Sequence, residues 1–203
     1  MTKQKDVHSA LHRISDIDAL LALFPPALRS HSRRVAVCSA FMADYAQDFD
    51  FPAKLPIIAH LSGIFHDVGK LLLPPSVTSG PEYQKHPAIG AAFLYQHKDV
   101  LFDSDMQAQM VCETVWFHHA RPDGKGFPYG SPYIPLTAGI CAIANALDNR
   151  LYINREADME AIRQELKNQK GRWFWESVVY CFERAWPQLK ELYTGWAQEV
   201  STA

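Results

Sequence analysis

Apolar residues along this chain recur at three- and four-residue spacing, the period of a helix with one buried face. Val7, Leu11, Ile14, Ile17 and Leu21 open the pattern and predict a first helix over 7–24, stopped by Pro25-Pro26. Val35, Cys38, Phe41, Met42 and Tyr45 mark a second helix. Pro52 suits the first turn of a third, which runs through Leu55, Ile58 and Phe65. The stretch LLLPPSVTSGP is broken by proline and glycine and reads as a loop with one short turn. His86-Pro87 opens the next helix. Ser104 or Asp105 caps the one that ends in WFHH. A long Gly/Pro-rich loop, ARPDGKGFPYGSPYIP, precedes a buried helix over LTAGICAIANALDNRL. The remainder carries four of the five tryptophans and predicts helices near 157–169, 172–185 and 188–200. No strand-like alternation interrupts this. The expected fold is all-α: a single compact bundle of about seven to nine helices over 25–203, with residues 1–24 as a helical extension packed on it.

Composition narrows the class. Of 203 residues, 48% are hydrophobic and 21% charged, as in an ordinary globular domain able to bury a core. A net charge of -2 argues against duplex nucleic acid or an anionic membrane as partner. The polar start lacks the apolar block of a signal peptide, and no apolar run reaches transmembrane length. Cys38, Cys112, Cys141 and Cys181 form no CxxC pair, so they read as reduced thiols of a cytoplasmic protein.

The histidines carry the chemistry. Four of the nine, His8, His12, His60 and His97, lie in positions that suit surface or helix roles. His31 shares a helix face with Val35 and Cys38, and by itself reads as a satisfied core histidine sooner than as a ligand. The adjacent pairs His66-Asp67 and His118-His119 each stand at the end of an apolar helix. Neighbours on a helix point about 100° apart, so each pair serves one site only if its helix stops there or the site holds two ions. Buried unpaired imidazoles and carboxylates are costly, and a shared cation would satisfy them all. Imidazole with carboxylate suits a transition metal. His31, His66, Asp67, His86, His118 and His119 exceed the needs of one tetrahedral ion and point to two ions sharing a carboxylate. Two ions about 3.5–4 Å apart can generate hydroxide near neutral pH and clamp a phosphoryl group.

In order and spacing these residues resemble the HD superfamily of metal-dependent phosphohydrolases. The blocks are HSRRV, HDVGK, HPAIG, HHARPDGKGFP and IPLTAGICAIANALD, in register over roughly 26–150. The loop is similar to the signature of the HD-GYP group, with Gly126-Phe127-Pro128 in place of Gly-Tyr-Pro and with Asp123 and Gly124 in the loop motif. The resemblance implies an α-helical domain with a centre of iron or manganese (nickel or zinc being further candidates). It also implies hydrolysis of a cyclic dinucleotide, cyclic di-GMP above all, by metal-hydroxide attack. By position, His31, His66 and Asp67 would hold one ion, and Asp67, His86, His118 and His119 the other. Lys70 would lie near the scissile phosphate as a catalytic residue. The family's last metal carboxylate falls at Asn145, a neutral amide; Asp148, three residues on, could in principle substitute, but it also matches a separate common Asp of the family. Removing one negative charge about 4 Å from an ion costs roughly 4 kcal/mol at an effective dielectric near 20. Ala27 stands where the Glu of three-metal members is expected, which argues against a third ion. The family's dinucleotide-gripping segment has no clean counterpart, so Arg121 and Arg150 join Lys70 as the substrate-binding candidates. Two other readings follow from these departures. One is a degenerate signalling or binding module that holds a nucleotide, or a partner such as a diguanylate cyclase domain, without turnover, and the other is a phosphomonoesterase acting on a nucleotide or other small phosphate.

Overall fold

The computed structural model describes residues 10–11, 14–49, 54–131 and 133–202, with side chains through Ala197. Eight helices organise it: α1 (Ile17–Ala22), α2 (Pro26–Asp44), α3 (Leu55–Phe65), α4 (His86–Gln96), α5 (Asp105–Phe117), α6 (Leu136–Asp148), α7 (Met159–Lys167) and α8 (Glu176–Thr202). Short helical turns fill in at Tyr45–Phe49, Val68–Leu72, Gly80–Tyr83, Lys98–Leu101 and Asn149–Ile153. Among the described residues, extended pairing is confined to the isolated bridges His119–Phe127 and Lys170–Phe174.

Local chemistry sets most boundaries. Ser104 accepts a hydrogen bond from the Gln107 amide and caps α5, and Asp158 does the same for α7 through Ala161. Two expectations need correction. The predicted first helix over 7–24 is interrupted at Ile14–Asp16, because Asp16 accepts from the Ala19 amide and starts α1 afresh. Val7, the first apolar position of that prediction, lies outside the described residues, as does Pro52. The third helix begins at Leu55 with Pro56 in its first turn. The second correction concerns the end of the chain, where α8 runs through Pro187 instead of breaking there. A proline in a helix interior forfeits one backbone bond. Phe182, Trp186, Leu189 and Tyr193 are all buried on both sides of it, and that packing holds the helix together.

Two apolar cores flank the helices that carry the histidines. One gathers Val35, Cys38 and Met42 of α2, Ile140, Ile143 and Leu147 of α6, and Val178, Phe182 and Leu189 of α8. The other joins Leu11, Leu20 and Phe24 to Ile64 and Phe65 of α3, Phe93 and Leu94 of α4, and Val111 and Val115 of α5. Close backbone contacts position the site between them. A Cβ on Gly63 would lie 2.5 Å from Ala36 Cα, so glycine lets α2 and α3 touch and brings His31 beside His66. A Cβ on Gly69 would lie 2.0 Å from the His86 carbonyl oxygen, so the turn after Asp67 rests directly on the start of α4.

Candidate metal centre

Each of the two adjacent pairs sits where its helix stops. His66 caps α3, and Asp67 has left the helix at φ -104°, ψ 8° before the turn Val68–Leu72 begins. His118 caps α5, and His119 is held by a hydrogen bond that the Phe127 amide donates to its carbonyl. The break in helical geometry turns both members of each pair toward one place. His31 comes from α2 and His86 from the first residue of α4.

The six side chains form two groups that share Asp67: His31, His66 and Asp67 on one side, and Asp67, His86, His118 and His119 on the other. Asp67 Oδ2 lies 3.3 Å from His66 Nε2 and 3.8 Å from His31 Nε2. Its Oδ1 faces the opposite group, 3.2 Å from His86 Nε2 and 3.9 Å from His118 Nε2. Four imidazoles are oriented from behind. The Nδ1 of His66 donates to Gly63 O, that of His86 to Tyr83 O and that of His118 to Val115 O, at 2.7–2.8 Å. His31 Nδ1 donates to Asp148 Oδ2 at 2.6 Å. With Nδ1 carrying the proton, every Nε2 presents a lone pair inward.

That arrangement fits a cation and little else. Asp67 Oδ1, His86 Nε2 and His118 Nε2 are buried without any hydrogen-bond partner. The Nε2 atoms of His31 and His66 stand 3.3 Å apart, lone pair against lone pair. Orphaned buried acceptors cost about 1–3 kcal/mol each, and converging ones repel. A divalent ion in each group is the group-specific remedy, because imidazole and carboxylate are its usual donors.

Residues 28–150 match the sequence profile of the HD domain family. The chain belongs to the HD domain family. It is 29% identical over 185 residues to a cyclic di-GMP phosphodiesterase of Pseudomonas aeruginosa, covering 78% of this chain and 43% of that protein. It is 33% identical over 139 residues to a 3'3'-cGAMP-specific phosphodiesterase of Vibrio cholerae, covering 61% of this chain and 25% of that one. The chain thus spans less than half the length of these curated relatives. Its fold is shared with the HD domain of the Listeria monocytogenes phosphodiesterase PgpH, at a TM-score of 0.60 and 16% identity over 86% of this chain and 98% of that one.

Electrostatics in the HD centre favour ligand-ready protonation states. Burial pushes the Asp67 carboxyl up, but the His66 and His86 imidazoles and the Lys70 ammonium outweigh it and hold Asp67 well below the usual carboxylate range. Burial lowers His66 against the pull of Asp67. His118 is driven well down by burial and by the ring of His119. His119 is pushed down to about 3 by burial and by His86. Lys70 Nζ donates to Asp67 Oδ2 at 2.5 Å. Burial pulls the Lys70 pKa down, and Asp67 and Tyr83 raise it overall, so it stays cationic.

The remaining candidates fall in different places. Asp148 is not free to ligate. Its carboxylate accepts from His31, from Arg34 Nε at 2.6 Å and Nη2 at 2.9 Å, and from the Tyr193 hydroxyl at 3.1 Å. It is a buried brace for His31, and this corrects its reading as a substitute metal ligand. Asn145 is buried and its amide oxygen accepts from Asn149. Arg150, expected to meet substrate, has its guanidinium engaged by Glu156 and Glu165. Arg121 binds Asp123 and lies over the Trp173 ring at 4.5 Å. Gly124 turns the loop at φ 71°, and Gly126 backs onto the His119 carbonyl, which seats the Phe127 ring 4.5 Å from His119. Arg34 and Tyr193 escaped the sequence reading. Arg34 stands three residues after His31, a helical spacing that could have flagged it. No spacing relates Tyr193 to residues so far from it in the chain.

Proposed function

We propose that this chain is a metal-dependent phosphodiesterase whose substrate is a cyclic purine dinucleotide, cyclic di-GMP in the first instance. The observation that carries the reading is Asp67, with its two oxygens turned to two separate histidine groups and Lys70 alongside. His31, His66 and Asp67 would hold one divalent ion, and Asp67, His86, His118 and His119 the second, with iron or manganese the expected metal. When bound, such ions supply Lewis-acid activation of water and neutralise phosphate charge. The names of the relatives, which are phosphodiesterases of cyclic di-GMP and of 3'3'-cGAMP, support the substrate class.

The chain's own residues then divide the work. Nδ1–H donation to Gly63, Tyr83, Val115 and Asp148 keeps the ligating rings in place without reorganisation. Lys70 Nζ, partly exposed beside Asp67, is placed to hold a phosphate oxygen and to stabilise charge on the departing oxygen. Asn145 contributes no charge, so Asp67 is the one carboxylate in either histidine group. The division into an N-terminal extension up to residue 24 and a domain from residue 25 is part of the proposal, supported among the described residues by Leu11, Leu20 and Phe24 within the core of α3, α4 and α5. Among the described residues no helix is long and apolar enough to cross a membrane.

The test is anaerobic loading with Fe or Mn followed by incubation with cyclic di-GMP and, separately, 3'3'-cGAMP. Metal-dependent release of the linear dinucleotide or of mononucleotides is expected. Two bound metals per chain with both substrates left intact would sink the proposal.

A further inference from the structure

Beside the HD centre lies a cavity of about 650 Å3, within the range of roughly 300–1,000 Å3 that small-molecule sites occupy. Its wall includes the candidate ligands His118 and His119 and extends to the half-exposed Trp173. The cavity is therefore continuous with the place where a phosphate would be cleaved. Part of its wall, from Asn154 to Phe174, lies beyond the residues that the family profile matches. Three features define what it can hold.

The first is charge. Of the cations on its wall, Arg121 is bound to Asp123 and Arg150 to Glu156 and Glu165, so three carboxylates stand against Arg121, Lys125 and Arg150. Arg150 is so committed that its pKa is driven above its ordinary value. A balanced wall is poor at holding a second phosphate. The second feature is a flat platform, the Arg121 guanidinium stacked on the Trp173 indole. Bases stack on aromatic rings and on arginine planes of this kind. The third is a pair of orphans. Arg121 Nε is a buried donor and Gln169 Oε1 a buried acceptor, and neither has a hydrogen-bond partner. Both belong to residues of the cavity wall. The turn that carries Gln169 also presents Trp173, whose amide donates to the Gln169 carbonyl at 2.9 Å.

We infer that this cavity is a nucleobase pocket that takes one purine of the substrate, with the Arg121–Trp173 platform stacking the base and with the side-chain amide of Gln169 reading its edge. A purine presents acceptors and an amino or imino donor on its edges, complementary to the NH2 and the oxygen of that amide. The inference deepens the phosphodiesterase reading and rests on it for the identity of the ligand as substrate, yet the two can fail separately.

The experiment titrates Mn-loaded protein with guanosine, which carries no phosphate, and follows tryptophan emission. Wild type should show a saturable quench that is largely lost in Trp173→Phe. Gln169→Met keeps side-chain length and should weaken binding about tenfold, the worth of one hydrogen bond to a buried group. Retained metal content reports that each variant is folded. In parallel, the ratio of kcat/KM for cyclic di-GMP to that for bis(4-nitrophenyl) phosphate, a diester without bases, should fall about tenfold in Gln169→Met. If guanosine leaves emission unchanged at millimolar concentration, or the quench survives in Trp173→Phe, the pocket assignment is overturned whatever the diesterase assay gives. An unaltered specificity ratio in Gln169→Met overturns it as well. If guanosine binds through Trp173 while no diester is cleaved, the pocket stands and the phosphodiesterase reading falls.

Discussion

Substituting Asp148→Asn tests how the HD centre is held in shape. In the wild-type protein the carboxylate receives four hydrogen bonds, one from His31 Nδ1, two from Arg34 and one from Tyr193. An amide of the same size offers one acceptor oxygen and a donor group. Its NH2 then faces the Arg34 guanidinium in either orientation, and in one of them the His31 N–H as well. His31 is left with a neutral acceptor or none, which weakens the contact that fixes its tautomer and aims Nε2 at Asp67. Supporting groups of this kind typically contribute 10- to 100-fold in metal affinity, or about 1.4–2.8 kcal/mol. Stability falls too. Breaking a buried ion pair costs about 3–5 kcal/mol, and the partial exposure of Arg34 brings the expectation to about 2–3 kcal/mol. Isothermal titration with Mn2+ gives the affinity and stoichiometry, and urea denaturation of the chelated protein gives the stability. Tyr193→Phe removes the 3.1 Å contact to Asp148 and the hydroxyl that accepts from the Cys38 thiol at 3.5 Å, leaves His31 and Arg34 in place, and should cost about 1 kcal/mol with a smaller loss of affinity. A variant that binds two ions with wild-type affinity would refute the role of Asp148 in aiming His31.

Other outcomes follow from the same geometry. Asp67→Asn should lower metal content at both histidine groups together, since each uses one of its oxygens; elemental analysis that finds one group still filled would contradict the bridging role. Asn145→Asp adds a charge beside the cavity and should tighten Mn2+ binding, by at most about 4 kcal/mol in Coulomb energy, which competition with a chelator can read. Gly69→Ala drives a Cβ into the His86 carbonyl and should cost about 2–4 kcal/mol in denaturant unfolding, with loss of metal in step. Chelated protein should lose stability as pH falls below about 6.5. His66, His118 and His119 resist protonation when folded, so the unfolded chain binds more protons in that window. Each contributes up to about 1.4 kcal/mol per pH unit, and a flat stability profile from pH 7 to 5 would contradict their neutral burial.

Much of this protein was legible from particular residues. Ser104 announced the start of α5 because a cap is a local hydrogen bond. The histidine blocks could be named because ligands that share a site repeat as residue types at helix ends. Reading failed where a local signal was overruled by distant atoms. Pro187 looks like a terminator, but the packing of Phe182, Trp186 and Leu189 carries α8 through it. Arg150 looked free for phosphate because Glu165, fifteen residues away, gives no local sign that it will reach back.

By itself the amino-acid sequence determined that the chain is helical, that five of its six ligand-type side chains stand at helix entries and exits with His31 on a helix face, and that Lys70 follows Asp67 by one turn. Those are consequences of short-range periodicity and of residue chemistry. Only the tertiary structure decided which oxygen of Asp67 faces which histidines, that Asp148 braces His31 and does not ligate, and that residues from Asn154 to Phe174 help to wall a cavity beside His119. The reason is physical. Orientation at the centre is imposed by the contact of α2 with α3 at Gly63 and Ala36, and by a tyrosine from α8, and such contacts leave no periodic mark in a chain.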